Sequence, residues 1–215
     1  MSNNLLDENK MISLLKQGLL ELQLSADEQK TQQLLAYVEL LLHWNKTYNL
    51  TAAESAEEII IRHILDSLTV LPMVKGKLVV DVGSGAGFPG VVLAVFLPDV
   101  SVIVLDSNNK KTRFLTQVKV ALKLKNLEVV HQRIEDFQRD NIDIIVSRAF
   151  SSLIDFVKMT DHLQQKGHTK WVAMKGKHPE EELRQLPTEL KVEMNTVKAP
   201  LDTIQRHIIT LWWNN

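Results

Sequence analysis

A glycine-rich segment that begins with one acidic residue is the part of this sequence best suited to bind a small molecule. It reads DVGSGAGFPG, residues 81–90, begins at the end of one apolar run, residues 78–82, and is followed by another, residues 91–97. Glycine permits positive φ angles and lets a ligand approach the main chain closely. The first N–H groups of the second run would point into the same space. The pattern predicts a strand, a tight turn and a helix around a nucleotide-like cofactor.

Two kinds of cofactor fit this turn. Gly85, Gly87 and Gly90 satisfy the dinucleotide pattern G-x-G-x-x-G, and Asp106 follows at the spacing of a ribose-binding acid. However, the carboxylate of Asp81 would attract an ammonium group and repel a pyrophosphate. Little chain remains for a separate hydride-acceptor domain. The residues therefore favour S-adenosylmethionine as the cofactor, with an NAD-dependent oxidoreductase as the alternative.

Residues at the ends of the next two strands complete the predicted cofactor site. Asp106 ends the second strand and is expected to bind the ribose hydroxyls. An aspartate that only caps the end of the strand would occur at the same position in the sequence. Ile134 and Glu135 follow the third strand. We expect Ile134 against the adenine face and Glu135 at its edge. Alternatively, Glu135 only interacts with the positive dipole at the N-terminus of a short helix.

Composition limits the class of protein. A chain of 215 residues, 45% of them hydrophobic, can form one α/β domain with a short extension. The absence of cysteine excludes disulfides and thiolate metal sites. The seven histidines show no metal-ligand spacing, so no metal is expected. No signal peptide is recognisable and no apolar run approaches the roughly 20 residues of a membrane span. We therefore expect a cytoplasmic protein that does not contact membranes, and the lack of a long apolar surface helix favours a monomer.

The chain divides at about residue 75. Residues 1–75 are predicted to form a helical extension, with Ser25 capping a helix that ends near Trp44, an ordered loop over 44–51 and a third helix over 56–71. Residues 76–215 alternate between strands and helices, which predicts a mostly parallel seven-stranded sheet with an antiparallel end. The strands are placed near 78–82, 101–105, 127–131, 142–146, 169–174, 190–197 and 204–213, and the helices near 87–97, 109–124, 151–165 and 179–186.

Charge is distributed unevenly in a chain whose net charge is only −1. Residues 110–177 hold 14 lysines and arginines against 7 aspartates and glutamates, and the remainder is acidic. A basic surface of this kind could bind a polyanion such as RNA locally. It is equally compatible with an ordinary solvated helix face.

Several segments together resemble one family, the bacterial small-subunit ribosomal RNA methyltransferase G family, also called glucose-inhibited division protein B. The resemblance spans about residues 30–210. The glycine turn alone would be generic, and its combination with the segments around Trp44 and His63 is specific. The segments are Trp44-Asn45-Lys46-x-Tyr48-Asn49-Leu50-Thr51, Arg62-His63-Ile64-Leu65-Asp66-Ser67, Asp81-Val82-Gly83-x-Gly85-x-Gly87-x-Pro89-Gly90, Leu105-Asp106-Ser107, Arg133-x-Glu135, Ser147-Arg148-Ala149-Phe150 and Lys175-Gly176.

The resemblance implies a class I S-adenosylmethionine-dependent methyltransferase fold, Rossmann-like, with an N-terminal helical extension. It implies methyl transfer to N7 of one guanine of 16S rRNA, near the decoding region of the small ribosomal subunit. Carried over by motif, the residues in contact with the cofactor would be Gly83, Phe88, Ile134, Glu135 and Arg148. Phe88 could instead belong to the core, and a cofactor wall is the interpretation we favour.

Guanine N7 has a lone pair and no proton, so its methylation needs no general base. The enzyme has to position the guanine and recognise it through donors to O6 and through stacking. His63 and Asp66 are expected to bond to each other in a structural role. Lys110, Lys111 and Arg113 are predicted to bind rRNA phosphates. The residues considered for guanine recognition are Arg133, Arg148, Lys175, Arg206, His63 and Asp66.

Three other functions remain compatible with the residues. A methyltransferase of proteins or small molecules would share the cofactor turn, and methyl uptake by RNA alone would distinguish it. A non-catalytic RNA-binding module would fail to bind the cofactor. An oxidoreductase would bind NAD.

Overall fold

The N-terminal part of the chain is helical, as predicted, but its boundaries differ from the prediction. The computed structural model describes residues 2–150 and 152–214. Helix α1 spans Ser2–Glu21 and α2 spans Glu28–Tyr48. The N-cap of α2 is Asp27 and not Ser25, since the Asp27 carboxylate accepts a hydrogen bond from the Lys30 N–H at 2.8 Å. The predicted loop over 44–51 was wrong in its first half, because α2 continues to Tyr48 and ends at Asn49 in the left-handed conformation.

The third helix of the extension changes its winding in the middle. It comprises α3 (Ala56–Ile59), a π-helical segment (Ile60–Leu65) and α4 (Asp66–Leu68), followed by a 3-10 turn at Leu71–Met73. A π-helical turn rotates the side chains that follow it relative to those before it, and such turns are frequent at functional sites.

The described residues that follow form a seven-stranded sheet in the order β3-β2-β1-β4-β5-β7-β6, in which β7 runs antiparallel to both of its neighbours, β5 and β6, and the other pairs are parallel. The predicted mixed sheet is thus confirmed. The strands are β1 (Leu78–Val82), β2 (Ser101–Asp106), β3 (Leu127–His131), β4 (Ile144–Ser147), β5 (Lys170–Lys175), β6 (Leu190–Lys198) and β7 (Gln205–Trp213). The helices between them are α5 (Gly90–Phe96), α6 (Asn109–Ala121), α7 (Leu153–Thr160) and α8 (Glu180–Arg184), with 3-10 turns at Ile134–Asp136 and Asp161–Leu163.

The N-terminal helices and one face of the sheet share a continuous hydrophobic core. Tyr37 of α2 is fully buried, its ring lies 5.2 Å from the ring of Phe88, and its hydroxyl donates to the Ala86 carbonyl of the glycine turn. The helical extension is therefore packed directly beneath the predicted cofactor turn. Within the described ranges, no helix is long and apolar enough to cross a membrane.

Candidate functional site

A cavity of about 350 Å³ lies over the glycine turn, where the carboxyl ends of β1, β2 and β4 meet. In open parallel sheets, ligands bind at the carboxyl ends of the strands, at the point where the order of the strands in the sheet changes direction. We call it the turn cavity. Its lining residues are Val82, Gly83, Leu105, Asp106, Ser107, Lys111, Gln132, Arg133, Ile134, Glu135, Ala149, Phe150 and Met159.

The glycine turn is held in place by β2. Gly83 and Gly85 have φ angles of 71° and 61°, which glycine adopts without strain. The Gly83 N–H donates to the Leu105 carbonyl at 2.9 Å, and the Gly85 N–H donates to Asp106 Oδ2 at 3.0 Å. Asp106 Oδ1 accepts from the Asn108 N–H at 2.9 Å. The Asp106 carboxylate is thus fixed against the turn and faces the cavity.

The turn cavity fits an adenosyl group with a methionine end. A Cβ built on Gly85 would have only the Gly83 carbonyl oxygen nearby, at 3.9 Å, so the space above the turn is open. Asp106 presents a carboxylate suited to two ribose hydroxyls. The apolar side chain of Ile134 and the exposed Glu135, which the sequence assigned to the adenine end, line the same cavity.

Asp81 lies beneath the turn and does not line the cavity. It is fully buried, and its Oδ2 accepts a hydrogen bond from the Gly90 N–H at 2.8 Å. Among the described residues, its Oδ1 is one of two buried side-chain atoms that lack a hydrogen-bond partner. Burial raises the pKa of Asp81 to about 7. Asp81, which the sequence predicted to attract a ligand ammonium group, has its carboxylate directed at the start of α5 and not into the turn cavity.

This raised pKa predicts how stability depends on pH. Folded Asp81 holds its proton more tightly than the unfolded residue, so the free energy that it contributes is largest at acid pH and is lost as pH rises towards 7. The unfolding free energy of the wild type, minus that of Asp81→Asn, should fall by up to about 1.4 kcal/mol per pH unit between about pH 4 and 7. Denaturant unfolding of both proteins across that range measures it.

The matched control for this experiment is Asp140→Asn, which replaces an exposed aspartate. As a substitution at an exposed position, it should change the unfolding free energy little at any pH in the same window. A wild-type-minus-Asp81→Asn difference that stays constant, or that grows with pH, would contradict a raised pKa at Asp81.

A second cavity, of about 330 Å³, lies on the other side of the turn that follows β4. We call it the arginine cavity. Asp66 is buried at its base, with Oδ2 at 3.1 Å from Arg148 Nη1 and Oδ1 at 2.6 Å from Arg206 Nε. Two guanidinium groups therefore share one carboxylate. The lining residues are Arg62, His63, Asp66, Arg148, Met174, Lys175, Gly176 and Arg206.

His63 contacts Arg148 and Thr51, and the predicted bond between His63 and Asp66 is wrong. His63 Nδ1 lies 3.1 Å from Arg148 Nη2, and its Nε2 lies 2.7 Å from Thr51 Oγ1. The π-helical winding and the intervening Arg148 guanidinium separate the histidine from Asp66. Burial, followed by the positive charge of Arg148, lowers the pKa of His63 to about 4. The ring is therefore neutral at physiological pH.

Lys175 ends β5 and closes one side of the arginine cavity. Its Nζ lies 2.7 Å from Glu182 Oε2 and donates to the Phe150 carbonyl at 3.1 Å. The same Glu182 oxygen accepts from the Leu153 N–H at 2.8 Å. These bonds tie α8 to the turn between the two cavities.

The structure separates residues that the sequence grouped together. Arg148, Lys175 and Arg206 meet in the arginine cavity as predicted, but Arg133 lines the turn cavity instead, since it precedes the 3-10 turn after β3. Lys111, predicted to bind RNA, lines the turn cavity with its Nζ 3.6 Å from Asp106 Oδ2.

Phe88, Lys110 and Arg113 do not line either cavity. Phe88 is only 4% exposed and is not on the cavity wall where we predicted it. Its ring stacks on His63 at 4.8 Å and lies 5.3 Å below the Arg148 guanidinium, because the helical extension covers its other side. Lys110 and Arg113 are exposed in the first turns of α6, outside the two cavities.

Tyr37, Thr51 and Glu182 support the site and were missed by sequence reasoning. Thr51 lies within a segment that we quoted for the family resemblance, and that was the one signal that could have drawn attention to it. Tyr37 belongs to an ordinary amphipathic pattern, and Glu182 to an ordinary acidic helix.

Comparisons with known proteins agree on one family. A family model described as rRNA small subunit methyltransferase G matches residues 30–209. The chain is 52% identical over 200 residues to the ribosomal RNA small subunit methyltransferase G of Pseudomonas aeruginosa, covering 92% of this chain and 93% of that protein. It is 49% identical over 201 residues to the protein of the same name from Stutzerimonas stutzeri, with the same coverage.

Solved structures share the fold at low identity. TrmN from Thermus thermophilus superposes with a TM-score of 0.57 at 16% identity, and the match covers 72% of this chain and 53% of TrmN. TrmK from M. capricolum, solved with the cofactor product S-adenosyl-homocysteine, gives a TM-score of 0.54 at 11% identity and covers 69% of this chain and 68% of TrmK. These likenesses confirm the class I methyltransferase fold.

Proposed function

Because this chain belongs to the ribosomal RNA small subunit methyltransferase G family, we propose that it methylates N7 of one guanine of 16S rRNA, near the decoding region. It is an rRNA methyltransferase whose methyl donor is S-adenosylmethionine. The observation that carries the finer proposal is the position of the turn cavity and the arginine cavity on either side of Arg148–Phe150. A donor in one would lie next to a base in the other.

Residues of the turn cavity would hold the donor. Asp106 would accept hydrogen bonds from the ribose hydroxyls, while Ile134 and Glu135 would contact the adenine. Gly83 and Gly85 would lie along the methionine end, above the buried carboxylate of Asp81. When bound, S-adenosylmethionine supplies an electrophilic methyl group on a positively charged sulfur.

Residues of the arginine cavity would hold the guanine. An arginine has five N–H donors, and the contacts to Asp66, His63 and the Arg62 carbonyl use three of those of Arg148. Its guanidinium can therefore also donate to guanine O6, and Arg206 and Lys175 line the same space. Since N7 carries no proton, these residues have only to orient the base, an effect worth roughly 7–11 kcal/mol in well-aligned reactions.

The wider RNA contact would extend from the arginine cavity to the exposed start of α6. Lys110 and Arg113 would bind phosphates there, whereas Lys111 would remain near Asp106. We further propose that the protein acts as a cytoplasmic monomer, with residues 1–75 as a helical extension and 76–215 as the methyltransferase domain. Transfer to a free lone pair requires neither a metal ion nor a membrane.

The test is transfer of labelled methyl from S-adenosylmethionine to small ribosomal subunits from cells that lack this gene. We expect the label in N7-methylguanosine of 16S rRNA after nucleoside digestion. Label in another nucleoside would overturn the assignment of the atom. Label in protein alone, or no label despite tight donor binding, would overturn the RNA substrate.

A further inference from the structure

Thr51, His63 and Arg148 form a chain of hydrogen bonds that reaches the arginine cavity from the helical extension. Thr51 lies in the connection between α2 and α3 and does not line either cavity described above. Its Oγ1 is 2.7 Å from His63 Nε2, and His63 Nδ1 is 3.1 Å from Arg148 Nη2. A side chain outside the cavity is thus connected to the guanidinium inside it.

The donors and acceptors in this chain determine where the His63 proton lies. Arginine nitrogens only donate, so His63 Nδ1 must accept and carries no hydrogen. The hydrogen of the neutral ring is therefore on Nε2, and it is donated to Thr51 Oγ1. Because burial and the charge of Arg148 lower the pKa of His63, a charged ring does not compete at physiological pH.

Thr51 is itself held in a fixed direction. Its Oγ1 also accepts a hydrogen bond from the Ala53 N–H at 3.2 Å, and its N–H donates to Asn45 Oδ1 at 2.9 Å. The hydroxyl oxygen therefore faces the histidine as an acceptor. The charged groups that act on His63 are Arg62 and Asp66 of its own helical segment and Arg148 at the end of β4, and the Phe88 ring stacks on it.

We propose that Thr51 is a positioning residue for methyl transfer, which selects the Nε2–H form of His63 so that His63 Nδ1 can hold the Arg148 guanidinium. The proposal rests on the proposed function, in which Arg148 faces the target guanine. Without the threonine oxygen, the buried Nε2–H would lack an acceptor. The form with hydrogen on Nδ1 would then gain population and would direct an N–H at Arg148, which would release the guanidinium.

Kinetics and NMR together test this role. In Thr51→Val, which keeps the shape and removes the acceptor, kcat/KM for the RNA should fall about tenfold. Thr51→Ser should restore most of that loss. Thr47→Val replaces an exposed threonine of α2 and is the matched control, with kcat/KM expected at the wild-type value.

Nitrogen-15 NMR of histidine-labelled full-length protein reports the ring hydrogen directly. At neutral pH, His63 of the wild type should show an unprotonated Nδ1 and a protonated Nε2, and Thr51→Val should shift the population towards the other form. A His63→Asn spectrum assigns the signals. Since a merely structural threonine would not change the protonation of His63, this measurement separates positioning from stability.

Several results would overturn the proposal. A wild-type His63 with hydrogen on Nδ1, or charged at neutral pH, would do so even if Thr51→Val failed to fold. Unchanged kcat/KM in Thr51→Val with an unchanged NMR spectrum would do the same. The NMR measurement needs no RNA, so a wild type that does not methylate guanine would count against the proposed function alone.

Discussion

Replacing Gly85 with valine should remove measurable S-adenosylmethionine binding while the chain still folds. Gly85 has a φ of 61°, a conformation that costs a β-branched residue about 1–3 kcal/mol. The added Cβ meets no protein atom closer than 3.9 Å, so the fold can tolerate the side chain. Both the strain and the new methyl groups act at the turn that the donor must approach. We expect an affinity loss of about 100-fold or more by calorimetry.

Gly167→Val is the matched control, since Gly167 also has a positive φ, of 74°, but is exposed and precedes β5 at the opposite edge of the sheet. It should lose some stability and bind S-adenosylmethionine normally. A folded Gly85→Val protein with wild-type affinity would show that the donor does not bind over this turn.

The second large effect concerns Arg148. Arg148→Ala should lower kcat/KM for the RNA about a thousandfold, which corresponds to about 4 kcal/mol of transition-state binding. The change removes a proposed donor to guanine O6 and leaves Asp66 and His63 without their shared partner. Arg148→Lys should restore little, because one ammonium group cannot reproduce the planar fork that contacts both residues.

Arg139→Ala is the comparison for the loss of one arginine. Arg139 forms an exposed ion pair with Glu128 at 3.1 Å, neither residue lines either cavity, and such pairs contribute little. Its kcat/KM should match the wild type. Wild-type kinetics in Arg148→Ala would place the guanine elsewhere.

The sheet and its functional edge could be predicted from the sequence because parallel strands give strong local signals. The bounds of β1 agree with the prediction at 78–82, and Asp106 and Arg148 fall at strand ends that face the same edge. Once the strands and their direction are known, topology alone brings these residues together. The antiparallel β7 places Arg206 beside the end of β5, where Lys175 lies.

The end of α2, the π-helical winding of the extension and the burial of Phe88 could not be predicted in the same way. Residues 44–51 have the amides and aromatics of a loop, yet the rings of Trp44 and Tyr48 pack against each other one helical turn apart, with centroids 5.2 Å apart, within the last turns of α2. The π-helical segment has no sequence pattern of its own. Phe88 is buried because α2 covers it, which is a long-range contact that its neighbours in sequence do not encode.

The short turn after β4 gives the two cavities a common wall. Arg148 faces the arginine cavity, while the next residues, Ala149 and Phe150, line the turn cavity. A displacement of this one stretch of main chain alters both spaces at once. Donor and RNA should therefore bind cooperatively or competitively but not independently, and linkage requires that each change the affinity of the other by the same factor.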